Sequence, residues 1–197
     1  MKRAPLVLAL ALLQPLVDLD HTVRDAVQHF RRPALEGPMR RVSDWGRPVV
    51  VITGLVAIAF VDDVGGLVTA RAAVVALAPV NLVVEGLKAA VGRTRPDGDR
   101  RRRNSSFPSS HTANAMALAW MLSRRWPRAR WSFFGMAALV AFSRMYLDRH
   151  YLTDVLAAVG IGVGFAMLTV RMWPALDPRR TRRTGARIAV VEASPDC

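Results

Sequence analysis

A chain of 197 residues that is 52% hydrophobic can bury one sizeable core, and it is too short for two ordinary domains. Its net charge of +13 would suit a nucleic-acid binder. The cations, however, lie in short clusters between apolar runs, almost bare of the aromatic residues on which bases stack, Trp126 and Trp131 apart. That alternation argues against nucleic acid as a partner and for a chain that crosses a membrane several times. The single cysteine, Cys197, rules out an intrachain disulfide, and no Cys/His spacing suits zinc.

In chain order, Met1-Lys2-Arg3 precedes an apolar run from about Ala4 to Val17, which reads as a first span or as a cleavable signal peptide. Residues Asp18 to Trp45 are polar with scattered apolar positions, among them Val23, Val27, Leu35 and Val42. They suit an amphipathic segment lying on the membrane surface, and equally a solvated loop. Five further apolar runs follow, at about 48–61, 67–91, 112–122, 131–142 and 155–170, making six candidate spans. Asn81, inside the third, reads as a residue that joins helices.

No repeat and no strand-like alternation is present, so the expected fold is all-α: an integral membrane bundle of about six transmembrane helices. It occupies residues 1–176, and 177–197 form a basic cytoplasmic tail, disordered or bound to headgroups. Several runs are shorter than the about 20 residues that a straight span needs, which leaves a soluble helical bundle as the alternative. Interfacial Trp126, Trp131 and Trp173 and snorkelling arginines offset the shortfall. With Lys2 and Arg3 held in the cytoplasm, counting spans puts the Ser123–Arg130 hairpin and the tail inside as well. The Arg100–Arg103 cluster then falls outside, against the positive-inside rule, which marks a loop whose function needs the charge.

Three clusters place polar residues at the ends of apolar runs, all on the outer face by the same count. They are Lys88 to Pro96 after the third span, Pro108 to His111 before the fourth, and Ser143 to Asp154 between the fifth and sixth. His150 and Asp154 are four residues apart, so on a helix they share a face, and the carboxylate can hold the imidazole in the tautomer that leaves one nitrogen free to attack. His111 is suited to protonating a leaving oxygen. Lys88, Arg95 and Arg144, with N–H groups near Ser109 and Ser110, can meet the charge spread over a phosphoryl group in transit. Only Lys2 and Lys88 among 28 basic residues are lysine, and a lysine inside an apolar run suggests function, although Glu85 one turn earlier is the simpler explanation as its ion-pair partner. His21 and His29 read as solvated or capping residues.

In order, Lys-x6-Arg-Pro, Pro-Ser-x-His and Ser-Arg-x5-His-x3-Asp agree at ten fixed positions over residues 88–154, and the chain thereby resembles the type 2 phosphatidic acid phosphatase superfamily. The resemblance implies a helical membrane enzyme with a phosphohistidine mechanism and no metal or cofactor. It assigns His150 as nucleophile, Asp154 as its partner and His111 as the acid that later activates water, with Lys88, Arg95, Ser109, Ser110 and Arg144 binding phosphate. Ser110 departs from the family's commonest residue, glycine, which is expected to leave activity intact and leaves the substrate fit open. The stretch from Asp97 to Phe107 is short, which implies a compact, open site.

The function expected is hydrolysis of a lipid phosphate monoester or a polyprenyl diphosphate at the outer face of the plasma membrane, among membrane lipids. Phosphoryl transfer to another alcohol would use the same residues, and a non-catalytic basic lipid-binding protein is the alternative from a different class. The superfamily also resembles vanadium-dependent haloperoxidases, which the membrane spans disfavour.

Overall fold

The computed structural model describes residues 4–61, 63–98 and 105–180, which are predominantly helical and contain no strand. The principal helices are α1 (Ala4–His29), α2 (Pro33–Asp44), α3 (Pro48–Val61), α4 (Asp63–Val91), α5 (Ser110–Arg125), α6 (Arg130–Tyr146) and α7 (Leu152–Met172). Six of them, all but α2, coincide with the six apolar runs. Residues 100–103 and the tail from residue 181 lie outside the described residues, so the readings of that arginine cluster and of most of the tail fall there.

Among the described residues, two helices are long and apolar enough to cross a membrane, Gly65–Val91 within α4 and Leu152–Met172. Their apolar windows are only 39% and 33% buried, so they are not core helices of a soluble bundle, which would be mostly covered. Their outer sides present large apolar groups such as Leu82, Leu156 and Met167 to the surroundings, as a lipid-facing surface requires. Helices α5 and α6 are shorter, with 16 and 17 residues, about 24–26 Å at the α-helical rise.

Helix α5 is central, packed against α4, α6 and α7, while α3 leans on α4 and α2 lies across α6. Small residues make these close crossings possible: Ala72, Ala73 and Ala76 of α4, Ala113 and Ala117 of α5, and Ala158 and Ala166 of α7 are all buried in one cluster. A Cβ at Gly162 would come within 2.3 Å of the Ala113 carbonyl oxygen, so glycine is what lets α7 approach α5 there. Asn81 and Asn114 exchange side-chain hydrogen bonds at 3.0 and 3.3 Å, and Asn81 does join α4 to α5. At the far end Arg124 Nε donates to Asp177 at 2.9 Å, so the bundle holds the chain through the start of the basic tail.

The stretch 18–45 is helical rather than a solvated loop, and it divides into two parts that lie mostly at the surface, with Asp20 and Ser43 buried. Asp18 to His29 continue α1, the chain breaks at residues 30–32, and α2 starts anew at Pro33, where a missing N–H costs nothing. Both parts send side chains inward to the site, as the partners below show.

Candidate active site

The motif residues gather at one end of the bundle, carried by the last turn of α4, the segments 92–98 and 105–109, the first turn of α5, the last turn of α6 and the turn into α7. That last turn, residues 147–151, places Asp148 at φ 57, a left-handed conformation that a short polar side chain tolerates. Arg24 of α1 grips Asp148 with two bonds of 2.7 Å and reaches the Pro96 carbonyl at 3.1 Å. Gln28 donates to the carbonyl of Met145 at 3.1 Å, and the Arg32 N–H donates to the Tyr146 hydroxyl at 2.7 Å. The turn that presents His150 is thus fixed from residues 24–32, far away in sequence.

His150 is buried, and its Nδ1 lies 2.6 Å from the Ser106 carbonyl oxygen. A carbonyl can only accept, so Nδ1 carries the proton and Nε2 keeps a free lone pair. Burial first, then the positive charges of Arg144 and Arg95, hold the imidazole well below its usual histidine range, and the Ser106 carbonyl opposes them only in part. The ring is therefore neutral and nucleophilic at physiological pH.

Asp154 does not hold the ring in the way its spacing suggests. The helix begins at Leu152, after His150, so the two residues do not share a helical face. Asp154 Oδ2 is 3.8 Å from His150 Nδ1, too long for a hydrogen bond, and instead accepts the Tyr151 N–H at 2.8 Å. Its Oδ1 accepts from Arg93 at 2.8 Å. Orientation of the imidazole falls to the Ser106 carbonyl, and Asp154 faces it as a nearby charge.

Ser109 is the N-cap of α5. Its hydroxyl accepts from the Thr112 hydroxyl at 3.0 Å and from the Thr112 N–H at 3.5 Å, while its own N–H donates to the Asp154 carbonyl at 3.3 Å. The next two N–H groups, of Ser110 and His111, open the helix and have no intrahelical acceptor, which favours an anion in front of them. Lys88 is shared: Nζ pairs with Glu85 at 2.7 Å and donates to the Ser110 hydroxyl at 2.5 Å. The ion pair expected with Glu85 is present, and the second bond turns the ammonium toward the start of α5.

Arg144 and Arg95 are both buried, and Arg144 Nη1 donates at 2.6 Å to the buried hydroxyl of Ser43 in α2. Its Nε is buried without a partner, a costly condition that a bound anion would relieve. Gly46, just beyond α2, lies against the backbone and Cβ of His111.

The sequence reading missed Asp20, Arg24, Gln28, Arg32, Ser43, Gly46 and Arg93. Arg93 stands inside the Lys-x6-Arg-Pro interval and Asp20 lies within one turn of the end of an apolar run, so each carried a signal; nothing in the local pattern marks Ser43 or Gly46. Together the site offers a neutral imidazole with a free nitrogen, a second histidine, two buried guanidiniums, an ammonium group and a helix N-terminus. That set fits attack on a tetrahedral anion.

A stretch of 100 residues is 30% identical to the lipid A 1-phosphatase of Rhizobium johnstonii, covering 45% of this chain and 41% of that protein. Another of 88 residues is 39% identical to the lipid A 1-phosphatase of Porphyromonas gingivalis, covering 42% and 19%. A third, of 75 residues, is 31% identical to the undecaprenyl-diphosphatase BcrC of Bacillus subtilis, covering 38% and 39%. The chain thus spans less than half the length of these curated relatives. Among solved structures, LpxE of Aquifex aeolicus shares the fold with a TM-score of 0.69 at 21% identity, over 78% of this chain and 95% of that one. The transmembrane PAP2-type phosphatidylglycerolphosphate phosphatase of Bacillus subtilis does so with a TM-score of 0.67 at 25% identity, over 85% and 90%. The pattern of the PAP2 superfamily matches residues 69–178, more than half of the chain and every one of the motif positions described above, and the chain therefore belongs to the PAP2 superfamily.

Proposed function

We propose that this membrane protein hydrolyses the phosphate monoester or diphosphate of a lipid through a phosphohistidine on His150, with the site at the outer face. The observation that carries the reading is the bond from His150 Nδ1 to the Ser106 carbonyl, which leaves Nε2 free, beside a buried Arg144 whose Nε lacks a partner. Relatives named for lipid A and undecaprenyl diphosphate support a lipid substrate.

In the first step Nε2 attacks phosphorus as the bond to the lipid oxygen breaks. His111, which burial and the cations of Arg144, Arg47, Lys88 and Arg95 hold neutral with a pKa lowered to about 3, takes up a proton together with the anionic substrate and gives it to that oxygen. Arg95, Arg144, Lys88 and the first N–H groups of α5 hold the equatorial oxygens as charge develops on them. In the second step His111 takes a proton from water, which attacks phosphorus and releases His150. Ser109 serves as the cap that aims those N–H groups, and Ser110 as the link between them and Lys88.

Acid-quenched enzyme given labelled lipid phosphate should carry label on a histidine; no label on histidine, with turnover intact, would refute the mechanism. A panel of phosphatidic acid, phosphatidylglycerol phosphate, a polyprenyl diphosphate and a polyprenyl-linked sugar phosphate, run with and without a competing alcohol, identifies the substrate and separates hydrolysis from transfer. For orientation, Arg101→Cys in a Cys197→Ser background should react with an impermeant thiol reagent on intact cells; labelling only after rupture would reverse the topology.

A further inference from the structure

Asp20 is buried in the second half of α1, and its carboxylate accepts three hydrogen bonds. Its Oδ1 accepts the Thr153 N–H at 2.8 Å, and its Oδ2 accepts from the Thr153 hydroxyl at 2.5 Å and from Arg93 at 2.7 Å. The same guanidinium donates through its other nitrogen to Asp154 at 2.8 Å and to Thr153 at 2.8 Å, with the Tyr151 ring 4.2 Å from its centre. One cation is therefore divided between two buried carboxylates.

We infer that Asp20 is a positioning residue for the nucleophile's charge: by sharing Arg93 with Asp154 it leaves the trio one net negative charge, which faces the positive charge that His150 acquires. The inference rests on the phosphohistidine reading. When Nε2 bonds to phosphorus and the lipid oxygen departs with the proton of His111, Nδ1 keeps its own proton, so the ring becomes a cation in a buried place. The groups that face it are Arg144 from α6, Arg95 from the segment after α4, His111 from α5 and Asp154 from α7. Three of these are cationic or neutral. Arg93 alone would cancel Asp154, and the imidazolium would face the arginines with no net negative charge from the protein beside its Nδ1 edge, the phosphoryl oxygens being engaged by Arg144 and Arg95. Asp20 removes that cancellation, and its bonds to Thr153 hold the first turn of α7 in place as it does so.

The test uses the full-length protein in detergent or nanodiscs with one lipid phosphate, so the substrate's own ionisation is common to every variant. Asp20→Asn, nearly the same in shape, should lower kcat about 10-fold with little change in KM and move the acid limb of kcat about one pH unit lower, as loss of one screened charge requires. Asp20→Asn with Arg93→Gln restores the net charge through Asp154 alone, and should recover most of kcat and return the limb toward wild type. A double variant no better than Asp20→Asn would overturn the inference, because a merely structural role predicts that two lesions are at least as harmful as one. If Asp20→Asn does not fold, Arg93→Gln alone decides: it makes the trio no less negative, so an acid limb displaced to lower pH is the overturning result. Wild-type turnover without histidine-bound phosphate would instead defeat the mechanism on which the inference rests.

Discussion

Gly46 offers a perturbation whose size follows from geometry. An alanine Cβ there would lie 2.8 Å from the His111 Cβ, 2.9 Å from its carbonyl oxygen and 3.0 Å from its Cα. None of those atoms is the free end of a flexible side chain. To restore ordinary contact near 3.4 Å the first turn of α5 must retreat by about 0.6 Å, and His111, the proposed general acid, moves with it. A displacement of 1 Å can cost about 10²-fold in rate, so Gly46→Ala should lose roughly 10- to 50-fold in kcat on a lipid phosphate. Overpacking should also remove about 1–3 kcal/mol of stability. With nitrophenyl phosphate, whose leaving group needs no proton, the loss should shrink to a few fold. Gly160→Ala, where an added Cβ meets nothing within 4 Å, is the control and should behave as wild type. Steady-state rates on both substrates, with a thermal melt of each variant, decide the matter. Full activity of Gly46→Ala on the lipid would refute the reasoning, and so would an equal loss on both substrates.

His150→Ala should abolish turnover, while His111→Ala should lose roughly 10²- to 10⁴-fold on lipid phosphate and recover in part on nitrophenyl phosphate; the reverse pattern would exchange their roles. For pH, the His150 shift is downward, so the neutral nucleophile persists as pH falls through 6.5 and is lost only at the lowered value. After correction for the substrate's own ionisation, the acid limb of kcat/KM should therefore lie below 6.5, and a limb at or above it would contradict the burial argument. By the same sign, an unfolded chain protonates this histidine near 6.5 while the folded one does not, so the stability it contributes should decline as pH drops below 6.5, as difference melts against His150→Ala can measure. Activity should survive a chelator and yield to vanadate; complete loss in chelator with recovery on magnesium would assign the charge stabilisation to a metal.

The helices were legible because apolar runs and arginine clusters alternate, and the motif residues were legible because their spacing is local. What escaped was whatever depends on distant segments meeting. The spacing of His150 and Asp154 suggested a helical pair, but spacing cannot say where a helix starts, and Leu152 opens α7 two residues too late. The imidazole's true partner is a main-chain carbonyl at Ser106, which has no signature in side-chain identity. Most of residues 18–45 do lie at the surface, but Asp20, Arg24 and Ser43 spend their polarity on distant side chains, which spacing alone does not show. Ser109 shows the converse: it stands where the motif requires, yet its hydroxyl caps a helix.

The clasp of Arg24 on Asp148 joins residues 124 positions apart. In a chain that enters its membrane helix by helix, the end of the first span must therefore wait for the turn before the last one. Until residues 145–148 have met α1, the turn that carries His150 lacks the bonds from Arg24 and Gln28, and until α7 has docked Asp154 has no guanidinium, so a partly inserted protein would hold the arginines of the proposed site without its proposed nucleophile in place. Reactivity is in this sense a late product of biogenesis, acquired when the first and last helices meet.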